Sequence, residues 1–363
     1  MNQAFDISVI IPVFNGFPYL KKCFDALQKQ NGSQLNIEIL FIDDASTDKS
    51  VELIESFNSK NINIIKFKSN LGQSVARNIG IKNALGKYVF FQDVDDTIEN
   101  NSLEVLFSKA KSYNSEFVFS DHRRIECSED QRKNKYDFLE ETIFEKKQII
   151  ISMKKEYDDP NTGHLGLFGC NGRLIRRSLL IDNNIFFDES LRWNEDKTFA
   201  WFVLSHVKKA IYVRKKLYSF YVNPNIQTAG IESLNYNFSI KNIKSITKHI
   251  NQSLKTIGLS QEETKKITQK TLIFHAIKVL ISVSIRLMFN KIEFKKGNML
   301  RKKIINEIIN DNDIKSAIKK YQPSRNESYL LPKTIAWGSV FLIEFFCNLR
   351  AKKIISLRRS GKV

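Results

Sequence analysis

The chain has 363 residues, 42% hydrophobic and 26% charged, with a formal net charge of +18. That length suits one α/β domain with an appendage, and the four cysteines (Cys23, Cys127, Cys170 and Cys347) lack the paired spacing of a zinc site or a disulfide framework. The charge is uneven: residues 231–363 hold 26 Lys and Arg against 9 Asp and Glu, whereas residues 1–230 hold 31 against 30.

In chain order, Ile7 to Phe14 reads as an apolar strand that ends in Asn15-Gly16. Tyr19, Leu20, Cys23, Phe24 and Leu27 then recur at helical spacing. Glu38 to Ile42 is a second strand and runs into Asp43-Asp44, with Ser46 or Thr47 expected to cap a helix from about Lys49. Ile62 to Phe67 is a third strand. Asn70 to Gln73 is a turn, and Ser74 to Ala84 is a helix carrying Arg77 and Asn78. The run Tyr88 to Phe91 is a fourth strand and ends in Asp93-Val94-Asp95-Asp96. Strands alternating with helices predict a largely parallel sheet with both faces covered. Ligands bind such sheets beyond the carboxyl ends of the strands. Here those ends carry Phe14, Asn15, Asp43, Asp44, Asp93, Asp95 and Asp96.

Three carboxylates leaving one strand repel each other unless a cation sits among them. Hard oxygen ligands of this kind suit Mg²⁺ or Mn²⁺, ions that serve substrate phosphates. The competing reading of the triplet is a solvated acidic turn. For Asp43 and Asp44 it is helix-start acids, for Phe14 a core position and for Arg77 an exposed helix residue. No GxGxxG follows a strand, which argues against a dinucleotide site, and Gly80 to Lys87 matches a P-loop only superficially.

The segments ISVIIPVFNG at 7–16, EILFIDDASTD at 38–48, NLGQSVARNIGI at 70–81, YVFFQDVDD at 88–96 and WNED at 193–196 together resemble glycosyltransferase family 2. The resemblance covers roughly residues 5–225. It implies the GT-A fold: a Rossmann-like mixed α/β sheet flanked by helices, in a catalytic domain over 1–230. It implies an inverting, metal-dependent transfer of sugar from a nucleoside diphosphate sugar, most simply a UDP-sugar. By the same resemblance, Asp93, Asp95 and Asp96 face the donor and an Mn²⁺ or Mg²⁺ ion, with Asp95 and Asp96 on metal and Asp93 and Asp95 on nucleotide. Pro12, Val13, Phe14 and Asn15 form the base cradle, Phe14 standing where the family often has Tyr. Asp44 accepts a hydrogen bond from uracil, and Arg77 lies near base and phosphates. Asp196 is the general base and Glu195 its neighbour; two adjacent carboxylates push one pKa upward, which suits a base near neutrality. Asn171, Arg173 and Trp193 belong to the donor-sugar or acceptor pocket, within a glycine-rich stretch from Asp159 to Arg177 and just before the base. His164 reads as a turn or surface histidine. Tyr218 to Gly230 is expected to fold over the diphosphate, and Asp121 to Glu145 to form a polar surface excursion.

Residues 231–363 read as a basic helical region, with Leu272, Ile273, Ala276, Val279, Leu280 and Val283 in register, then Ile304, Ile305, Ile308, Ile309, Ile314 and Ile318. The apolar run Ile335 to Leu349, followed by Arg350 to Arg359, is short for a membrane span, which takes roughly 20 residues. It suits a helix lying on an anionic membrane surface, or a small helical bundle that buries these faces or forms a homodimer through them. Nucleic acid is not an expected partner, since no zinc spacing or RNA-recognition signature accompanies the charge. The N-terminus enters a strand directly, without a secretory leader, so the expected location is cytoplasmic, peripheral on the inner face of the cell membrane. Richness in Asn, Lys and Ile fits an AT-rich bacterial genome. The expected acceptor is a growing surface glycan, free or lipid-linked. Two other classes stay open: a nucleotidyltransferase, which would need a basic glycine-rich N-terminal signature in place of PVFNG, and a non-enzymatic basic tether with a relict catalytic domain.

Overall fold

The structure is a computed structural model and describes residues 5–30, 35–125, 141–158, 167, 169–191, 193–221, 239–288, 294–323 and 327–359. The chain divides into two compact units, one of residues 1–153 and 163–226, the other of 154–162 and 227–363.

The first unit opens with β1 (Ile7–Val13), α1 (Phe17–Gln28), β2 (Ile37–Asp43), α2 (Ser50–Ser56), β3 (Ile62–Lys66), α3 (Gln73–Asn83) and β4 (Tyr88–Phe91). These are the alternating strands and helices of the sequence reading, with bounds moved by a residue or two. The strands pair in parallel, β1 between β2 and β4, with β3 beyond β2. Successive side chains in a strand point to opposite faces. In β1, Ile7, Val9, Ile11 and Val13 enter the core with Leu20, Cys23 and Leu27 of α1, while Ile10 meets Gly80 of α3. Both faces are therefore covered, which is why β1 and β2 read as nearly unbroken apolar runs.

The remainder of this unit is β5 (Thr97–Ile98), α4 (Ser102–Ser112), β6 (Phe117–Ile125), β7 (Glu141–Glu145), α5 (Lys146–Asp158), β8 (Arg173–Arg176), α6 (Arg177–Asp182), α7 (Glu195–His206) and β9 (Lys209–Tyr221), the end of α5 lying in the second unit. The sheet order is β3-β2-β1-β4-β8-β6-β9-β5, with β7 also on β9. Antiparallel β8 joins β4 to β6, and β6 runs parallel to β9. One expectation changes here. Asp121 to Glu145 is not simply a surface excursion, because β6 reaches Ile125 and β7 occupies Glu141–Glu145; residues 126–140 lie outside the described residues. Tyr218 to Tyr221 is the end of a strand, and 222–230, the rest of the segment expected over the diphosphate, fall outside the described residues. His164 does so too.

The second unit is helical: α8 (Ile240–Thr256), α9 (Gln261–Met288), α10 (Phe294–Asn310), α11 (Asn312–Ile318), α12 (Leu330–Trp337) and α13 (Val340–Arg359). Among the described residues α9 is long and apolar enough to cross a membrane, yet most of that stretch is buried, and α8, α10, α11 and α13 pack on it. It is the core helix of this unit. The run Ile335 to Leu349 is not one helix. Gly338, at φ +70°, ends α12, and α13 starts two residues later. That left-handed C-terminal position favours glycine.

Candidate active site

The site lies at the carboxyl ends of β1, β2 and β4. The loop after β1 is stitched to the loop after β2. The Asn15 amide, at φ +51°, donates to Ser46 Oγ at 2.9 Å, and the Thr47 amide donates to Asn15 Oδ1 at 2.8 Å. Gly16 N–H donates to Ser50 Oγ at 2.9 Å and Phe17 N–H to Asp48 Oδ2 at 3.1 Å. Ser46 and Thr47 are thus occupied with Asn15 and do not cap α2. Asp48 accepts the first-turn amide of Ser50 at 3.0 Å instead. Pro12 and Val13 are ladder residues opposite Ile42 and Asp43. Phe14 projects from the rim, half exposed.

Asp44 is buried. Its two oxygens accept from the amides of Leu71, at 2.6 Å, and Gly72, at 2.8 Å. Those bonds fix the turn at Gly72, φ +92°, from which α3 departs. Helix α3 then places three polar side chains. Gln73 Nε2 donates to Glu195. Arg77 donates to Asp93 Oδ1 at 2.9 Å and lies 3.7 Å from Glu195 Oε1. Asn78 clasps the backbone of Phe187, donating to its carbonyl at 2.9 Å and accepting from its amide at 2.8 Å. The ring of Phe187 stacks on Phe199 of α7 at 3.9 Å, and Phe91 of β4 stands edge-on to both. One helix thereby sets the entry to α7 and the exit of β4 together.

The acidic loop after β4 is held by unlike partners. Asp93 Oδ2 accepts from Asn171 Nδ2 at 2.6 Å. Asp96 is buried; its Oδ2 accepts from Tyr218 Oη at 2.8 Å and its Oδ1 from the Tyr221 amide at 3.1 Å. Tyr218 Oη also accepts from Asp93 N–H at 3.2 Å. One carboxylate oxygen from each of Asp93, Asp95 and Asp96 can be chosen so that all three lie within 4.8 Å of one another. Burial, then the charge of Asp93, pushes Asp95 up to about 6. Burial, then Asp93 and Asp95, pushes Asp96 up to about 8. Crowded hard oxygens whose charges are poorly compensated fit a divalent Mg²⁺ or Mn²⁺ ion. Asp95 and Asp93 have the more exposed carboxylates, whereas Asp96 is turned inward.

Glu195 and Asp196 form the first turn of α7. Glu195 is buried, and burial, then Asp196, raises its pKa against the opposing pull of Arg77. Asp196 is only partly buried and accepts from Lys197 N–H at 2.7 Å. The sequence reading placed Arg77 beside base and phosphates; it is buried below the carboxylates and pairs two of them. Arg173 was placed in a pocket, but it is a buried β8 residue that contacts His122, its guanidinium 6.0 Å from the Phe119 ring. Burial, then the Arg173 charge, holds the His122 pKa well below its usual value. Trp193 is likewise buried, and Asn171 reaches the cluster directly. Gln73 was not foreseen as a site residue, although its place at the head of a motif-bearing helix offered a signal. Tyr218 and Tyr221 lie in the segment expected over the diphosphate, but their part in holding Asp96 was not foreseen.

Known proteins resemble this chain in sequence and in fold. GlyA, a glycosyltransferase of Streptococcus pneumoniae serotype 4 (strain TIGR4), is 31% identical over 216 residues, 59% of this chain but only 30% of its own length. The crystal structure of Staphylococcus aureus TarS 1-349 with UDP-GlcNAc matches with a TM-score of 0.65 at 18% identity, over 99% of this chain and 93% of that one. TarS is a poly(ribitol-phosphate) β-N-acetylglucosaminyltransferase. The mannosyltransferase PcManGT of Pyrobaculum calidifontis, solved with GDP-Man and Mn²⁺, matches at a TM-score of 0.50 and 13% identity, over 96% of this chain and 88% of that one. The sheet with its flanking helices is a GT-A fold. Residues 8–182 match the model of the Glycosyl transferase family 2, and that stretch of the chain belongs to the family.

Proposed function

We propose that the protein moves a sugar from a nucleoside diphosphate sugar, UDP-linked, to a hydroxyl of a growing surface glycan, inverting the anomeric centre. The observation that carries this reading is the junction at Arg77, which ties the Asp93 cluster to the Glu195–Asp196 turn. The UDP-GlcNAc in TarS and the GDP-Man in PcManGT support a nucleotide-sugar donor. The Mn²⁺ in PcManGT supports a divalent ion at Asp93 and Asp95, with Asp96 anchoring the loop. Such an ion, when bound, neutralises charge on the departing diphosphate.

The remaining chemistry belongs to the chain itself. The cradle of Pro12, Val13, Phe14 and Asn15 receives the base, with Phe14 stacking. Asp44 accepts from the uracil imide, since a carboxylate oxygen can accept more than once. Asp196 removes the acceptor proton as that oxygen attacks the anomeric carbon opposite the diphosphate. Glu195, locked by Gln73 and Arg77, positions the turn rather than moving the proton. Asn171 orients Asp93, while Arg173 and Trp193 shape the pocket from behind. A single displacement with a single base inverts configuration.

A panel of UDP-sugars with Mn²⁺ and an oligosaccharide acceptor tests the reading. Asp196→Asn is expected to keep UDP affinity by calorimetry and lose transfer by roughly 10²–10⁴-fold. Full activity in that variant, or a product of retained configuration by NMR, overturns the assignment.

A further inference from the structure

Within the helical unit, α12 and α13 each turn one apolar side inward and leave another in water. Leu331 and Ile335 of α12, and Ile343, Cys347 and Ala351 of α13, are buried. On the other side, Tyr329 and Trp337 are 66% and 67% exposed, and Phe341, Phe345 and Leu349 are 74%, 48% and 48% exposed. Residues four apart share a helix face. Tyr329, Lys333 and Trp337 make one such row, and Phe341, Phe345 and Leu349 another. The rows follow one another across the Gly338 turn.

The charges beside these rows have one sign. Lys333 is exposed, its Nζ 4.5 Å from the centre of the Tyr329 ring, and Lys352 and Lys353 are exposed one turn past Leu349. Glu344 is the one acidic residue from 328 to 363. It is directed to Arg301 of α10, whose Nε lies 3.2 Å away, and Arg301 also holds Asn348 at 2.9 Å. The acid is thus drawn to the inner side, and the outer rows keep aromatic and cationic groups.

We propose that the outer face of α12 and α13 docks on an anionic lipid surface. Aromatic and aliphatic side chains enter the boundary between headgroups and acyl chains, while lysines meet lipid phosphates. A second copy of the chain fits this face less well. A two-fold contact brings the same patch from both protomers together and so sets lysine against lysine. A bilayer supplies both the apolar layer and the negative charge.

Trp337 reports on the contact, because the other tryptophans, Trp193 and Trp201, are buried. The full chain is mixed with phosphatidylcholine vesicles, with and without phosphatidylglycerol. Binding to the anionic vesicles, a blue shift, and quenching by brominated lipid are expected, all weakened by salt. Phe341→Ser combined with Phe345→Ser should lower partitioning by about tenfold or more without changing the melting curve. Each of Lys333→Gln, Lys352→Gln and Lys353→Gln should lower it by about fivefold. Absence of Trp337 quenching on anionic vesicles overturns the proposal without recourse to any variant. So does equal partitioning by the Phe341/Phe345 variant and the wild type. A lipid-independent dimer that this variant splits, with no vesicle binding, assigns the face to a second copy instead.

Discussion

At the scale of single residues, the site sets buried charge against buried charge. Among the described residues, Arg77 is the buried cation that pairs with both Asp93 and Glu195. Removing one partner of such a set leaves the others unpaired, which costs more than the pair itself contributes. The carboxylates beyond its reach pay in proton affinity. Asp95 is raised to about 6 and Asp96 to about 8 from an ordinary 3.8, first by burial and then by neighbouring charge. Across that interval the folded chain holds more protons than the unfolded one. The contribution of these two carboxylates to the stability of the metal-free protein is therefore greatest at low pH and is lost as pH rises through 6 and then 8. In chelator, the melting temperature is expected to drop between pH 6 and 8.5, less so in Asp96→Asn. Saturating Mn²⁺ should flatten the drop, because bound metal takes the place of the protons. Identical slopes for wild type and Asp96→Asn in chelator would contradict this account. None of it could be read from the acidic triplet alone. The sequence places the three aspartates on one loop, but the burial that separates Asp96 from Asp95 comes from Tyr218 and Tyr221, more than a hundred residues away.

At the scale of elements, legibility followed the range of the contacts. β1, β2 and β4 were readable because each is a short apolar run whose partners lie nearby in the same αβ alternation. β8 was not, since Arg173-Leu174-Ile175-Arg176 is a short apolar pair closed at both ends by charge; its arginines are accommodated by partners distant in sequence, Arg173 by His122 and the Phe119 ring, Arg176 by Asn114 and Ser115. Close approaches also escaped notice. Buried Glu38 in β2 accepts from Ser8 Oγ and from the Leu85 amide, while the Gly86 amide donates to Ser8 Oγ at 2.8 Å. A Cβ on Gly86 would stand 2.5 Å from Ser8 N, a backbone atom held in the sheet. On Gly80 it would stand 2.3 Å from Ile10 Cγ2, a branch methyl on a buried β1 side chain that is stiff at χ1, and this clash outweighs the helix preference of alanine. Gly86→Ala and Gly80→Ala are thus each expected to cost about 1–3 kcal/mol. Urea melts of both variants decide the matter; a Gly86→Ala protein as stable as wild type would mean that the turn can yield.

At the scale of the molecule, chemistry and charge are apportioned between the units. Every residue assigned to donor, metal or base lies between Pro12 and Asp196, inside the first unit, while the net positive charge lies almost wholly after residue 230. The charge asymmetry was legible from composition. The packing of α9 was not, because a long apolar helix looks the same in sequence whether it is covered by α8, α10, α11 and α13 or by lipid. The core of the first unit draws on β1, β2, β4, α1, α2 and α4, all ending before residue 113, and closes with residues of β6, β8 and β9 that end by residue 221. Such a core needs no helix of the second unit to bury its apolar faces. A chain ended at residue 230 is therefore expected to unfold cooperatively and to bind UDP with Mn²⁺ at an affinity within about threefold of the full chain, a difference of under 1 kcal/mol. Its vesicle binding should vanish, since the aromatic rows are gone. Calorimetry with UDP, paired with vesicle sedimentation, separates the two functions. A folded 1–230 chain that no longer binds UDP would show that the donor site requires residues beyond 230, and the division of labour drawn here would fail.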